Sequence, residues 1–117
     1  MVHDYPKLAE ALSGAIRTMR HGIPEVMKGF STLSQAALEA HALDSKTKEL
    51  IALAIGISVR CDGCIAFHAK AAHRRGASRD EVLETIGMAI YMGGGPSMVY
   101  GAQALEAFDQ FEAAETT

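Results

Sequence analysis

The amino-acid sequence predicts an all-α protein, a compact bundle of about six helices that forms a single domain over residues 1–117. Apolar residues recur at intervals of three or four along most of the chain, as they do on the buried face of a helix. Glycine and proline interrupt this periodicity between segments, and one segment opens with a helix-capping pattern. No stretch reads convincingly as a β-strand, and 117 residues is an ordinary length for one domain.

The first two helices are predicted on either side of Gly22, which ends the first of them. The apolar face of this first helix consists of Leu8, Leu12, Ala15, Ile16 and Met19. Pro24 suits the first turn of a second helix, where a backbone N–H has no partner within the helix. The residues expected to form the buried face of this second helix are Val26, Met27, Phe30, Leu33, Ala37 and Leu38.

A third helix is predicted from about Lys46 to Val59, with Asp44 or Ser45 as its cap. Its second half is apolar on nearly every side, and such a helix is normally buried on every side. A short apolar run is also compatible with a buried strand, but the Lys-, Glu-, Leu- and Ala-rich first half favours a helix. About six helices leave little room to enclose this one. We therefore expect a homo-oligomer that buries its remaining surface between subunits.

The remaining helices are delimited by glycines and by a cap. The fourth is expected to carry both cysteines and to end near Gly76. Ser78 followed by Glu81 forms a capping-box pattern, which predicts the start of the fifth helix. Residues 93–96, with the sequence GGGP, break the chain before a last helix. The tail from residue 113 to residue 117 is expected to fray.

Composition narrows the possible partners and location. The chain has 11 Lys and Arg against 14 Asp and Glu, a formal net charge of −3, which gives no electrostatic reason to expect a nucleic acid or an anionic membrane as a partner. The N-terminus lacks the basic and apolar regions of a signal peptide, and the longest apolar stretch, residues 50–59, is too short to span a bilayer. We therefore expect a cytoplasmic location.

The only two cysteines, Cys61 and Cys64, are separated by two residues, and His68 follows four residues later. On a continuous helix these three side chains would fall within an arc of roughly 60°. An imidazole or a helix N-terminus favours the thiolate, the reactive form of a cysteine, and Gly63 allows a bend that would put Cys64 near such a terminus. In the cytoplasm a close pair is more often functional than structural, so the pattern indicates a redox-active dithiol.

Two other interpretations of this cluster remain open. The cysteines can pack as small hydrophobic residues. Alternatively, Cys61, Cys64 and His68 can bind zinc, with water or Glu49 as the fourth ligand. Structural zinc sites usually draw their ligands from two separated pairs, and the sequence has no second pair. We therefore expect no bound metal or cofactor.

Glu49 is the second candidate for proton transfer beside His68. It stands near the start of the third helix, where the following residues are apolar, so its carboxylate can be partly buried and would then need a partner such as an imidazole. The alternative is an ordinary first-turn acid that complements the helix dipole. The spacing alone does not separate the two.

Taken together, these residues resemble the alkylhydroperoxidase D-like group of the carboxymuconolactone decarboxylase superfamily. The matching pattern is Glu49 twelve residues before Cys61, then Cys64, then His68 four residues later. The segment GGGPSMVYG, residues 93–101, is similar to a helix junction of that family. The resemblance implies an all-α fold whose subunits assemble as trimers or hexamers. It also implies a dithiol that reduces small hydroperoxides and is itself reduced by an external dithiol.

The resemblance also implies a role for each residue. Cys64 would attack the peroxide, Cys61 would resolve the product into a disulfide, and His68 with Glu49 would relay protons. Asp62 and Gly63 stand where some peroxidase members carry a histidine between the cysteines. Lactone decarboxylases of the superfamily generally lack the cysteine pair. The cysteine pair in this chain therefore argues against decarboxylation. The alternatives to a peroxidase or disulfide oxidoreductase are still a decarboxylase of a small lactone or acid, and a non-catalytic redox-sensing or zinc-binding module.

Overall fold

The computed structural model describes residues 1–116, which form six α-helices and contain no strand. The all-α prediction is therefore confirmed. The helices are α1 (Tyr5–Gly22), α2 (Pro24–Leu38), α3 (Ser45–Ser58), α4 (Asp62–Arg74), α5 (Arg79–Gly93) and α6 (Gly95–Thr116). None of these helices is long and apolar enough to cross a bilayer.

Local capping explains where the helices begin. The Asp44 side chain accepts a hydrogen bond from the Thr47 N–H, which makes Asp44 the cap of α3. At α5, the Ser78 hydroxyl accepts from the Glu81 N–H, and the Glu81 carboxylate accepts from the Ser78 N–H. This is the reciprocal pair that the sequence predicts. The expected break in the glycine run is present: α5 ends at Gly93, α6 begins at Gly95, and Gly94 separates them.

The C-terminal tail differs from the prediction, because α6 continues to Thr116. The expected fraying from residue 113 is therefore wrong as far as Thr116, and Thr117 lies outside the described residues. The cause is a tertiary contact. The Glu115 carboxylate accepts hydrogen bonds from Arg74 Nε at 3.0 Å and His73 Nδ1 at 2.9 Å, which tie the end of α6 to the end of α4.

The core lies between α3, α4, α5 and α6, with the start of α1 packed against it. Its largest fully buried side chains are Tyr5, Leu53, Ile57, Ile65, Val82 and Phe108. Tyr5 anchors the N-terminal segment, because its backbone N–H donates to Gln110 and its hydroxyl bonds to Gln103, both on α6. These contacts place the start of α1 beside the N-terminus of α4, the helix that carries the cysteine motif.

The predicted burial of the second helix is wrong within one chain. No residue of α2 is buried, and Val26, Phe30 and Leu33 each expose more than 60% of their surface. The physical reason is that α2 contacts only α1 and α3, so its amphipathic face meets no core in the same subunit. Helix α3 is likewise buried on one side only, because Ile51 and Ile55 are exposed while Leu53 and Ile57 are fully covered.

Candidate active site

The candidate site is built on the turn between α3 and α4. The Cys61 N–H donates to the Gly56 carbonyl at 3.0 Å, and the Arg60 N–H donates to the Ile57 carbonyl at 3.2 Å. These two bonds define a Schellman motif, which ends a helix by placing one residue in the left-handed region. That residue is Arg60, with φ 57°, where glycine is the usual choice. The turn reverses the chain and delivers Cys61 directly to the start of the next helix.

Cys61 is the N-cap of α4 rather than a member of the helix. Its backbone is extended, and its sulfur accepts a hydrogen bond from the Cys64 N–H at 3.2 Å. The assumption of one continuous helix for the three side chains of the motif is therefore wrong, because Cys61 lies outside the helix that carries Cys64 and His68. Cys64 and His68 do lie on α4, four residues apart and hence on the same face. The expected bend lies at Arg60 and not at Gly63, which is already inside α4, because the bonds from Arg60 and Cys61 to the last turn of α3 form the turn. Cys64 does lie in the first turn of α4, as expected.

Cys61 and Cys64 are joined as a disulfide, with their Cα atoms 5.2 Å apart. Neither side chain is fully buried. Helix α3 approaches the pair closely through Gly56, which is buried. A Cβ atom at Gly56 would lie 3.1 Å from the Cβ of Cys64, so a larger residue there would press on the disulfide.

Glu49 and His68 form a direct contact across α3 and α4. The Oε2 atom of Glu49 lies 2.7 Å from Nδ1 of His68. The Glu49 residue exposes 6% of its surface, whereas 30% of the His68 side chain is exposed. A carboxylate can only accept, so Nδ1 of His68 carries the hydrogen and Nε2 is left as a base. Glu49 is therefore a buried carboxylate with an imidazole partner, the first of the two alternatives that the sequence left open.

A further contact, which no sequence pattern predicts, joins the N-terminal segment to the motif. Nε2 of His3 lies 3.6 Å from the carboxylate of Asp62, the residue that follows Cys61. Burial, together with the nearby Asp62 and Glu106 carboxylates, raises the pKa of the adjacent Tyr5 phenol to about 12. His3 has no motif around it in the sequence, and only the docking of the first residues on α6 brings it here.

No group of three or more His, Cys, Asp and Glu side chains within residues 1–116 is arranged to hold a metal ion. The residues that a zinc site would use have other partners. Both sulfurs belong to the disulfide, and the Glu49 carboxylate is bonded to His68. The geometry is instead that of a dithiol–disulfide pair at a helix N-terminus, followed on the same helix by an oriented imidazole.

Comparison with known proteins gives a consistent assignment. The model of the carboxymuconolactone decarboxylase family matches residues 24–107, which include all four candidate residues. An uncharacterised protein of Cupriavidus necator is 38% identical over 90 residues, which are 77% of this chain and 80% of that protein. A second uncharacterised protein, encoded in the cox locus of Paracoccus denitrificans, is 34% identical over 109 residues, 93% of this chain and 95% of that protein.

The fold is shared by proteins whose crystal structures are known. A carboxymuconolactone decarboxylase family protein from Legionella pneumophila superposes with a TM-score of 0.89 at 48% identity, over 92% of this chain and 96% of that one. A protein of the same family from Thermotoga maritima, with a suggested part in the antioxidative response, gives a TM-score of 0.71 at 31% identity. That match covers 77% of this chain and 93% of the Thermotoga chain.

Proposed function

Because the chain belongs to the carboxymuconolactone decarboxylase family, we propose that it is a dithiol peroxidase of that family, which reduces small hydroperoxides with Cys61 and Cys64. The observation that carries the proposal is the Glu49–His68 hydrogen bond of 2.7 Å, which orients a base on the same helix face as Cys64. A disulfide alone would fit a structural cross-link. A disulfide next to a buried carboxylate–imidazole pair also has the means to move the protons that its formation and reduction require. The suggested involvement of the Thermotoga relative in the antioxidative response supports the same proposed function.

The proposed reaction is a two-electron oxidation in two steps. His68 takes the Cys64 proton, and the thiolate attacks the outer oxygen of the hydroperoxide. The S–O bond forms, the O–O bond breaks, and the departing alkoxide takes the proton back to give an alcohol and a Cys64 sulfenic acid. The Cys61 thiolate then attacks that sulfur, the S–S bond forms, and hydroxide leaves as water with the Cys61 proton. Two thiols and one hydroperoxide thus give one disulfide, one alcohol and one water.

Each residue has a distinct part in this scheme. Cys64 is proposed as the attacking thiol because it precedes His68 by one helical turn. Cys61 is proposed as the resolving thiol, and the Cys64 N–H that already donates to its sulfur would stabilise its thiolate. Glu49 fixes the His68 tautomer, so that Nε2 can exchange protons with the sulfurs.

The cycle is completed by an external dithiol, which reduces the disulfide by thiol–disulfide exchange. The N-cap position of Cys61 supports this step, because the pair sits at the end of a helix and is not fully buried. A supply of reduced dithiol is characteristic of the cytoplasm, so we place the protein there. The scheme uses no metal or cofactor.

We also propose that the protein works as a homo-oligomer, a trimer or hexamer, in which neighbouring copies cover α2. The support is that a 15-residue helix with no buried residue has little reason to stay folded alone. Helices α1 and α2 form an apolar groove of about 740 Å³, lined in part by Ile23, Val26 and Phe30. A second copy offers matching apolar surface, because Tyr91 and Met92 at the end of α5 are each 78% exposed.

Light scattering on a Phe30→Glu variant tests the assembly. Phe30 is 61% exposed in the single chain, so this substitution should leave a monomer folded but should split an oligomer that buries the ring. Thr32→Glu is the matched control, because Thr32 lies about 200° round the same helix. A monomeric parent protein, or an F30E variant that keeps the mass of the parent, would contradict the proposed assembly.

Intact mass and thiol alkylation test the proposed activity. The reduced protein is mixed with one equivalent of an organic hydroperoxide at neutral pH, and rapid loss of two hydrogens and of both alkylatable thiols is expected. Cys61→Ser and Cys64→Ser should each prevent turnover with an external dithiol, and Cys64→Ser should also stop peroxide consumption. An unchanged mass with two free thiols would contradict the proposal and direct attention to lactone decarboxylation, which needs neither cysteine.

A further inference from the structure

A cleft of about 550 Å³ is lined in part by Glu49, the hydrogen-bond partner of His68. Glu49 of α3 forms one wall, and the other lining residues follow the helical spacing i, i+3, i+4, i+7 and i+8 along α4 and its cap. They are Phe67, Lys70, Ala71, Arg74 and Arg75. The volume is that of a site for a small organic molecule.

Three of the six lining residues are cationic, and two of the three have no partner among residues 1–116. The side chains of Lys70 and Arg75 make no hydrogen bond or ion pair with any described residue, whereas Arg74 donates its Nε to Glu115. The single carboxylate of the lining, Glu49, is already bonded to His68. The cleft thus has an excess of positive charge in a chain whose formal net charge is −3.

Charge and apolar surface are combined in this cleft. The Phe67 ring and the Ala71 methyl group provide apolar lining that can cover a hydrocarbon chain, while Lys70 and Arg75 can each donate to an anionic head group. Inorganic phosphate or sulfate would use only the cations. A molecule that carries both a short hydrocarbon part and a carboxylate would use both features.

We propose that this cleft binds a small organic carboxylate, held by Lys70 and Arg75 beside Glu49, the hydrogen-bond partner of His68. The inference rests on the proposed function in one respect: a ligand bound there is taken to be a reactant of the dithiol. The carboxylate belongs either to the hydroperoxide that oxidises Cys64 or to the dithiol that reduces the disulfide.

Binding is tested without any redox step, by titrating the protein with hexanoate at low salt and following the backbone amide signals by NMR. Saturable shifts are expected at residues that line the cleft. The double variant Lys70→Gln/Arg75→Gln should bind about tenfold or more weakly, as expected for losing charge-assisted hydrogen bonds. Lys28→Gln, which removes one charge on α2 away from the cleft, should bind as the parent does. Absence of shifts at the cleft, or equal binding by the double variant, would overturn the proposal.

Inorganic phosphate is the control for a bare cationic patch. At equal concentration it should displace hexanoate poorly, because it makes no use of Phe67 and Ala71. Displacement as strong as that by a second alkyl carboxylate would mean that the surface attracts anions in general, and would overturn the assignment to an organic acid.

Two kinetic comparisons then distinguish the source of the carboxylate. A short hydroperoxy acid is compared with its methyl ester as oxidant, and dimercaptosuccinate is compared with dithiothreitol as reductant. In one of the two pairs, the charged compound should react about tenfold faster than the neutral one. Added salt and the double variant should each remove this difference in rate. If salt and the double variant changed the rates of the charged and the neutral reactants equally, the cleft would not be the binding site of a charged reactant. If no hydroperoxide oxidises the dithiol while hexanoate still binds, the proposed function fails and the binding site stands.

Discussion

Replacing Glu49 by glutamine changes the charge of the proposed relay while keeping its shape. Glutamine retains an oxygen in the position of Oε2, so the 2.7 Å hydrogen bond from Nδ1 of His68 can persist. The substitution removes the negative charge that faces the imidazole and replaces the other carboxylate oxygen by an NH2 group. Because Glu49 is only 6% exposed, water cannot easily reach this position to stabilise a positively charged His68 in place of the carboxylate.

The size of the effect follows from the kind of hydrogen bond that is lost. A hydrogen bond to a charged group contributes about 1.5–3 kcal/mol, whereas a neutral one contributes about 0.5–1.5 kcal/mol. The difference of about 1–2 kcal/mol applies when His68 becomes positively charged as it takes the Cys64 proton. At 1.36 kcal/mol for each factor of ten, Glu49→Gln should slow dithiol oxidation roughly 5- to 30-fold.

The assay is stopped-flow oxidation of the fully reduced protein by tert-butyl hydroperoxide, with disulfide formation verified by intact mass. Glu84→Gln is the matched control, because Glu84 is an exposed acid on α5 whose loss gives the same change in net charge. This control should react at the parent rate. Circular dichroism should show the same helix content in all three proteins, since Glu49→Gln keeps the buried hydrogen bond.

A double-mutant cycle with His68→Gln tests whether the two residues act as one unit. If Glu49 acts only through His68, adding Glu49→Gln to the His68→Gln variant should slow the reaction little further. The reasoning is refuted if Glu49→Gln alone reacts at the parent rate, or if the two substitutions slow the reaction independently.

Three further predictions concern the packing around the site. Gly56→Ala should lower the free energy of unfolding by about 1–3 kcal/mol and slow dithiol oxidation, because its new Cβ meets the cysteine-bearing helix at 3.1 Å. Gly87→Ala, whose Cβ has no neighbour within 4 Å, should instead raise the free energy of unfolding by about 0.5–1 kcal/mol. Urea titration of both variants and the parent measures these changes. At the two left-handed turn positions, Arg60→Gly should raise the free energy of unfolding by up to about 1 kcal/mol, and Gly76→Ala should lower it by about 1–2 kcal/mol. A destabilised Arg60→Gly variant together with a stabilised Gly76→Ala variant would contradict the turn geometry. The Tyr5 phenol, with a pKa of about 12 against 10.0 for the unburied group, should stabilise the fold fully below pH 10 and lose that contribution as the pH rises through 12. Relative to Tyr5→Phe, the parent should therefore lose no more than about 2–3 kcal/mol of unfolding free energy over this range, and parallel curves would contradict the shifted pKa.

The helix boundaries could be predicted because local signals determine them. Gly22, the Ser78 and Glu81 pair, and the glycines at residues 93–95 each act within one helical turn, and each lies at a helix end in the structure. The burial of α2 could not be predicted in the same way. Its periodicity shows that one face is apolar, but it does not identify the surface that covers this face. The end of α6 was missed for a related reason, because Glu115 is held by residues of a distant helix.

The candidate site shows the same division between local and tertiary information. The spacing of Cys61, Cys64 and His68 indicates dithiol chemistry, since four residues on one helix bring the second cysteine and the histidine together. The contact between Glu49 and His68 does not follow from spacing. On one continuous helix Glu49 and Cys61 would stand about 18 Å apart, and the structure instead folds α4 back on α3.

The residue that makes this reversal possible is difficult to recognise in the sequence. The end of α4 is signalled by Gly76, a residue suited to positive φ, but the equivalent position after α3 holds Arg60. An arginine in the left-handed region is stable only where surrounding contacts hold it, and here the bonds from Arg60 and Cys61 to the last turn of α3 do so. The same turn that costs backbone strain also makes Cys61 the cap of α4 and brings His68 to Glu49. The proposed proton relay therefore depends on this one turn, because a substitution that opened it would move Glu49 on α3 away from His68 on α4.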